Sequence, residues 1–110
     1  MELHSRAVDE KRSVISVSGR LNAVSTNDLK NEIKNQVASG RTSLVIDLKE
    51  ISFIDSSGLS ALVSGLKLTR ERGGSLSLSG LNEQTSSVFK LTLLDRVFHI
   101  FPDVEQALNT

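Results

Sequence analysis

The chain has 110 residues, enough for one domain around one core. Hydrophobic content of 38% and charged content of 24% are those of a folded globular protein and exclude a disordered chain. Basic and acidic residues number 13 each and balance to a net charge of zero, which argues against a nucleic-acid or membrane-surface role, and the absence of cysteine excludes a disulfide framework and a thiolate metal site.

No apolar run reaches membrane-spanning length. Met1-Glu2-Leu3-His4 lacks the basic-then-apolar pattern of a secretory signal, so a cytoplasmic location is expected.

Residues 2–10 alternate weakly and predict a first strand. Residues 13–18 alternate more cleanly, with Ile15 and Val17 on one face and Ser16 and Ser18 on the other. Lys11-Arg12 is the expected turn of this antiparallel hairpin, and Gly19-Arg20-Leu21-Asn22 is expected to leave the strand. A helix follows. Ser25 with Asp28 three residues on resembles a capping box, Leu29, Ile33 and Val37 form one apolar stripe, Lys30, Glu32 and Lys34 face water, and Gly40 ends the helix.

Residues 43–48 are the most continuous apolar run and predict a central strand buried on both faces. Lys49-Glu50 predicts a polar turn, and Ile51, Phe53 and Ile54 a second buried run. Asp55-Ser56-Ser57-Gly58 is then a turn into a helix, in which any of the three polar residues can be the N-cap. Two serines therefore stand where free backbone N–H groups and the positive end of a helix dipole meet solvent, a place that tolerates a phosphate. On these residues alone, a capping turn without chemistry is the plainer reading.

Residues 57–72 carry a helical pattern. Leu59, Leu62, Val63 and Leu66 make a core-facing stripe. The opposite face is small and uncharged: Ser60, Ala61, Ser64, Gly65 and Leu68, with charge only in the last turn at Glu71 and Arg72. An ordinary solvated face carries more Glu and Lys, so this face is expected to be a docking surface, with close packing inside the domain as the alternative.

Gly73-Gly74 ends that helix, and residues 75–79 alternate with Leu76 and Leu78 inward. Strand, helix, strand in this order implies parallel pairing. Asn82 is expected to cap a helix over 83–91 that buries Val88, Leu91 and Phe89. Leu93-Leu94-Asp95-Arg96 fits neither pattern, residues 97–101 suggest a short last strand, and Asp103 caps a terminal helix with Val104, Ala107 and Leu108. The sum is a single α/β domain over 1–110: an open mixed sheet of four to five strands with about four helices.

Signs of catalysis are missing. His4 and His99 have no acid or ligand at a meaningful spacing, and there is no Gly-x-Ser-x-Gly elbow or P-loop. Asp47, Glu50 and Asp55 cluster in sequence, yet no histidine completes a metal set. A binding module is expected rather than an enzyme, with no cofactor and no metal.

The run Phe53-Ile54-Asp55-Ser56-Ser57-Gly58-Leu59 resembles the signature of the STAS domain, the sulfate-transporter and anti-sigma-antagonist family. Gly19-Arg20-Leu21-Asn22, Leu44-Val45-Ile46-Asp47-Leu48, Gly73-Gly74, the Val88, Leu91, Leu93, Val97-Phe98 spacing and Ala107-Leu108 extend the resemblance over essentially the whole chain. A free-standing domain of this length is most similar to the bacterial anti-sigma factor antagonists.

The resemblance implies partner switching. The unphosphorylated antagonist binds a serine-protein kinase that is also an anti-sigma factor, and the client is freed. The kinase then phosphorylates the antagonist and the pair separates, and a metal-dependent serine phosphatase reverses the modification. By motif position the phosphorylated hydroxyl corresponds to Ser56 rather than Ser57. Asn22, Asp55, Ser56, Ser57 and Gly58, together with the uncharged helix face of Ser60, Ala61, Ser64, Gly65 and Leu68, are the expected partner-binding residues, Gly58 by letting a kinase approach the backbone. The family often has Asp where this chain has Asn22, which keeps a hydrogen-bonding side chain without the charge. A monomer is expected, since partner exchange needs the surface free. Two other classes compete: a constitutive STAS interaction subunit of a transporter or signalling complex with no phosphate cycle, and a hydrolase using Ser56 or Ser57.

Overall fold

The computed structural model describes residues 1–109. A hairpin of β1 (Glu2–Ala7) and β2 (Arg12–Leu21) leads through α1 (Thr26–Ala38) to β3 (Ser43–Ile54). Helix α2 (Ser56–Glu71), β4 (Ser75–Ser79), α3 (Glu83–Leu91), a 3-10 turn at Leu94–Arg96, β5 (His99–Phe101) and α4 (Val104–Leu108) follow. The five strands lie side by side in chain order; β1 runs antiparallel to β2, and the other neighbours pair in parallel.

Helices α1, α2 and α3 cover one face of the sheet. Leu29 and Ile33 of α1, Leu62 and Leu66 of α2 and Phe89 of α3 meet Ile15, Leu44, Ile46 and Leu78 in the main core. On the other face the short α4 sets Ala107 against Val14 and Val45. β3 is thus covered on both sides, as its unbroken apolar run predicts.

Several local expectations are corrected. The hairpin turn falls before Arg12, because the Asp9 carboxylate accepts bonds from the amides of Lys11 and Arg12 at 2.9 and 2.8 Å and from Arg12 Nε at 2.8 Å. The Arg12 side-chain bond, followed by the two amides, holds the Asp9 carboxyl below its ordinary pKa. Both β2 and β3 run further than expected. Gly19-Arg20-Leu21 stay in β2, and Lys49-Glu50 lie within β3 instead of forming a turn. The pairing of β2 with β3 contains two register shifts. Such bulges reset the in–out alternation, which is how Leu48, Ile51 and Ile54 all reach the core despite a spacing of three.

The capping box at Ser25 does not form. Ser25 Oγ instead donates to the carbonyl of Arg20 at 2.8 Å and accepts from the amide of Asn22 at 3.0 Å, closing the turn between β2 and α1. In α3, Phe89 is fully buried while Leu91 is 85% exposed, so Leu91 is not core. The two lie on opposite sides of the helix, and Phe98 selects Phe89 through an edge-on ring contact with centroids 5.9 Å apart. Asn82 and Asp103 cap their helices as expected, accepting from the amides of Thr85 and Gln106, each at 2.8 Å.

Candidate functional site

The junction of β3 and α2 is built by three hydrogen bonds of Asp55. Asp55 is the N-cap: its Oδ1 accepts from the amide of Gly58 at 3.0 Å, and its carbonyl accepts from that of Leu59 at 3.0 Å. Its own amide donates to the carbonyl of Leu21 at 3.3 Å, so the end of β2 holds the start of α2. Ser56 and Ser57 then occupy the first helical turn, where their amides have no acceptor among the described residues. Ser56 is exposed and Ser57 half-buried.

Exposure continues along α2 at Ser60 and Ser64, at i+4 and i+8 from Ser56, before Lys67 and Glu71. This ridge of hydroxyls is the small, neutral face that the sequence predicts, with Leu68 half-buried at its edge. Two residues expected on it belong elsewhere. Ala61 is fully buried and Gly65 is buried, because they form the seam with α1. A Cβ on Gly65 would stand 2.8 Å from Ile33 Cδ1 and 3.0 Å from Leu76 Cδ1. At these two positions close packing, not an open face, is the outcome. Val63, expected in the core stripe, is only half-buried.

Gly58 is also corrected. It is buried, its N–H is bonded to Asp55, and a Cβ there would lie 2.6 Å from the carbonyl oxygen of Leu21. The glycine permits a close approach of β2 to α2 within the chain, not of a visitor.

Asn22 follows Leu21 and is half-buried. Its Oδ1 accepts from the amides of Val24 and Ser25 at 3.0 and 3.3 Å. An aspartate would accept the same two bonds, so the turn itself does not require the charge that this chain lacks.

Sequence reasoning missed a pair beside this junction. Arg20 and Phe53 are register partners one step before Leu21 and Ile54. Phe53, expected in the core, is half-buried with the Arg20 guanidinium 4.1 Å from its ring centroid. Only the bulged register brings the two together, so no local pattern could have revealed them. Val24, 91% exposed in the adjoining loop, is detectable in sequence as an apolar residue without a helical or strand partner.

His4 and His99 are both exposed, on the edge strands β1 and β5, whereas Ser56 and Ser57 stand at the end of central β3. Among the described residues no group of three or more His, Asp or Glu side chains could hold a metal, and no helix is long and apolar enough to cross a membrane.

The STAS domain family model matches residues 5–107. An anti-sigma-B factor antagonist of Listeria monocytogenes is 32% identical over 95 residues, covering 86% of this chain and 82% of the relative. Among solved structures, an anti-sigma factor antagonist from Mycobacterium paratuberculosis superposes with a TM-score of 0.87 at 30% identity, covering 98% of this chain and 91% of the other. The Bacillus cell fate determinant SpoIIAA in its phosphorylated form superposes with a TM-score of 0.77 over 98% of this chain and 97% of the other, and at 19% identity it establishes a shared fold only.

Proposed function

The chain belongs to the STAS domain family, and on that premise we propose that it is an anti-sigma factor antagonist switched by phosphorylation of Ser56. In this reading the unmodified chain docks through the start of α2 onto a serine-protein kinase that doubles as an anti-sigma factor, and the client is released. The γ-phosphoryl group of the kinase's ATP passes to Ser56 Oγ as its bond to ADP breaks, and the hydroxyl proton leaves to a base on the kinase. A metal-dependent phosphatase returns the serine. The protein acts as a monomeric cytoplasmic binding protein, not as an enzyme.

The supporting observation is the setting of Ser56: exposed, first in the helix, and heading the neutral ridge of Ser60 and Ser64. A phosphate would bring roughly −1.5 to −2 of charge beside Asp55. A partner surface shaped for a hydroxyl would meet repulsion and an unpaired, desolvated anion. Within the domain the free amides of Ser56 and Ser57 and the helix dipole partly offset that charge, so phosphate affects binding more than folding. Half-buried Ser57 is the poorer acceptor.

The test is phosphorylation by a candidate kinase with ATP, mapped by mass spectrometry, together with binding by Ser56→Asp and Ser56→Ala. Modification at Ser56, loss of binding in Ser56→Asp and retained binding in Ser56→Ala are expected. Phosphate on another residue with Ser56 bare overturns the assignment, and undiminished affinity of Ser56→Asp overturns the switch.

A further inference from the structure

Helices α1 and α2 flank an open groove of about 370 Å³. Its floor is small and apolar: Ile33, Ala61, Gly65 and Leu68. Its rim carries Lys30 and Lys34 from α1 and Lys67 from α2, with Glu71 the one acid lining it. In a chain of zero net charge this is a local cationic excess.

The charges of α1 are sorted by side. Lys30 and Lys34 face the groove, while Asp28 and Glu32 line a separate depression against Met1, Leu3 and Ser5 of the β1 edge. Each of these is a like-charged pair at i, i+4, an arrangement mildly unfavourable to the helix itself, where alternating signs would have been favourable. The rim lysines are not neutralised inside the molecule, since the ion pair found among the described residues is Arg12 with Asp9. An apolar floor between unpaired cations calls for a ligand that is apolar along one ridge and anionic on both flanks.

We infer that the α1–α2 groove docks an acidic amphipathic helix of a partner protein. Residues at i, i+3, i+4 and i+7 of that helix lie over the seam against half-buried Leu68 and the lysine stems, and its carboxylates flank them beside Lys30, Lys34 and Lys67. The surface begins near Ser64, about 12 Å along α2 from Ser56 at 1.5 Å per residue. It adjoins the far end of the hydroxyl ridge at Ser64 and needs no phosphate cycle.

A synthetic helix of ~18 residues, about five turns, with leucine along one ridge and glutamate on the flanks is the probe. A scrambled peptide of the same composition and vesicles containing anionic phospholipid are the comparisons. With the unmodified full chain, the amphipathic peptide is expected to shift the backbone amide resonances of Lys30, Lys34, Ser64 and Lys67, and the scrambled peptide to bind at least about tenfold more weakly. The exposed pair Lys34→Glu and Lys67→Glu is expected to weaken the peptide about tenfold or more while leaving the circular dichroism unchanged. Equal binding of the scrambled peptide, shifts confined to other surfaces, or unaltered affinity of the double variant overturns the inference. So does a lysine-dependent preference for the vesicles over the peptide. The wild-type shift map needs no variant, and since Ser56 stays unmodified throughout, a negative result leaves the Ser56 reading standing.

Discussion

Gly58 of α2 lies with its Cα against the carbonyl oxygen of Leu21, so close that an added methyl would sit 2.6 Å from that oxygen and 2.8 Å from Ile54 Cγ1. Gly65, two turns further along the same helix, is also crowded, but there the neighbours are the methyl ends of Ile33 and Leu76 at 2.8 and 3.0 Å. Backbone cannot yield as a side-chain tip can. Gly58→Ala is therefore expected to lose about 1–3 kcal/mol through overpacking. In Gly65→Ala the helix-propensity gain of about 1 kcal/mol offsets the displacement of Ile33, leaving stability within about 1 kcal/mol of the parent. Urea denaturation of the two variants checks the contrast; equal losses would contradict it.

Core membership in α3 gives a second pair. Phe89→Ala removes a fully buried ring that meets Phe98 at an interplanar angle of 76° and is expected to cost about 3–5 kcal/mol. Leu91→Ser changes a side chain that is 85% exposed and is expected to stay within about 0.5 kcal/mol of the parent. Thermal unfolding followed by circular dichroism separates them, and a large loss for Leu91→Ser would return Leu91 to the core.

These contrasts mark where the sequence was legible. Leu44, Val45, Ile46 and Leu48 announce their strand as a continuous apolar run, Leu76 and Leu78 theirs by alternation, and Asn82 and Asp103 announce helix starts because a cap bonds an amide only three residues away. Ser56 could be placed at an exposed helix start for the same local reason. What escaped was non-local. A small residue looks alike on an open face and in a tight seam, and only the packing of Ile33 against Gly65 decides which it is. Lys49-Glu50 resembles a turn until the shifted register with β2 keeps it in β3, and that same register joins Arg20 to Phe53.

Acid sensitivity has a local source in α1. Glu32 has its pKa lowered, first by the hydrogen bond from Ser5 Oγ on β1, which burial opposes, and then by the weaker bonds from Gln36 and Asn35. A carboxyl depressed in the folded state contributes stability above its unfolded pKa, near the ordinary 4.5, and loses it as pH falls through the folded value. Ser5→Ala is expected to raise the Glu32 titration midpoint, read by NMR of its side-chain carboxyl. The accompanying loss is below about 1 kcal/mol at neutral pH, because the bond is solvent-exposed, and it vanishes once both states are protonated. A loss that persisted in strong acid would assign the effect to packing instead of charge.

Loss of the cap should be felt separately from loss of the hydroxyl. Asp55 Oδ1 holds the amide of Gly58, so Asp55→Ala is expected to cost about 1 kcal/mol, and Asp55→Asn to recover most of it because the amide oxygen accepts the same bond. Ser56 makes no comparable side-chain bond within the described residues, and it is exposed. In Ser56→Asp the new carboxylate gains about 0.3–1 kcal/mol from the helix N-terminus and is opposed by its neighbour Asp55, so folding stability should change by less than about 0.5 kcal/mol. Denaturation midpoints for Ser56→Asp and Asp55→Ala, measured beside kinase binding, separate the two roles. Ser56→Asp should lose the partner at unchanged stability, and Asp55→Ala should lose stability first. If Ser56→Asp unfolds as readily as Asp55→Ala, the negative charge acts on the fold, and a switch confined to the contact surface is refuted.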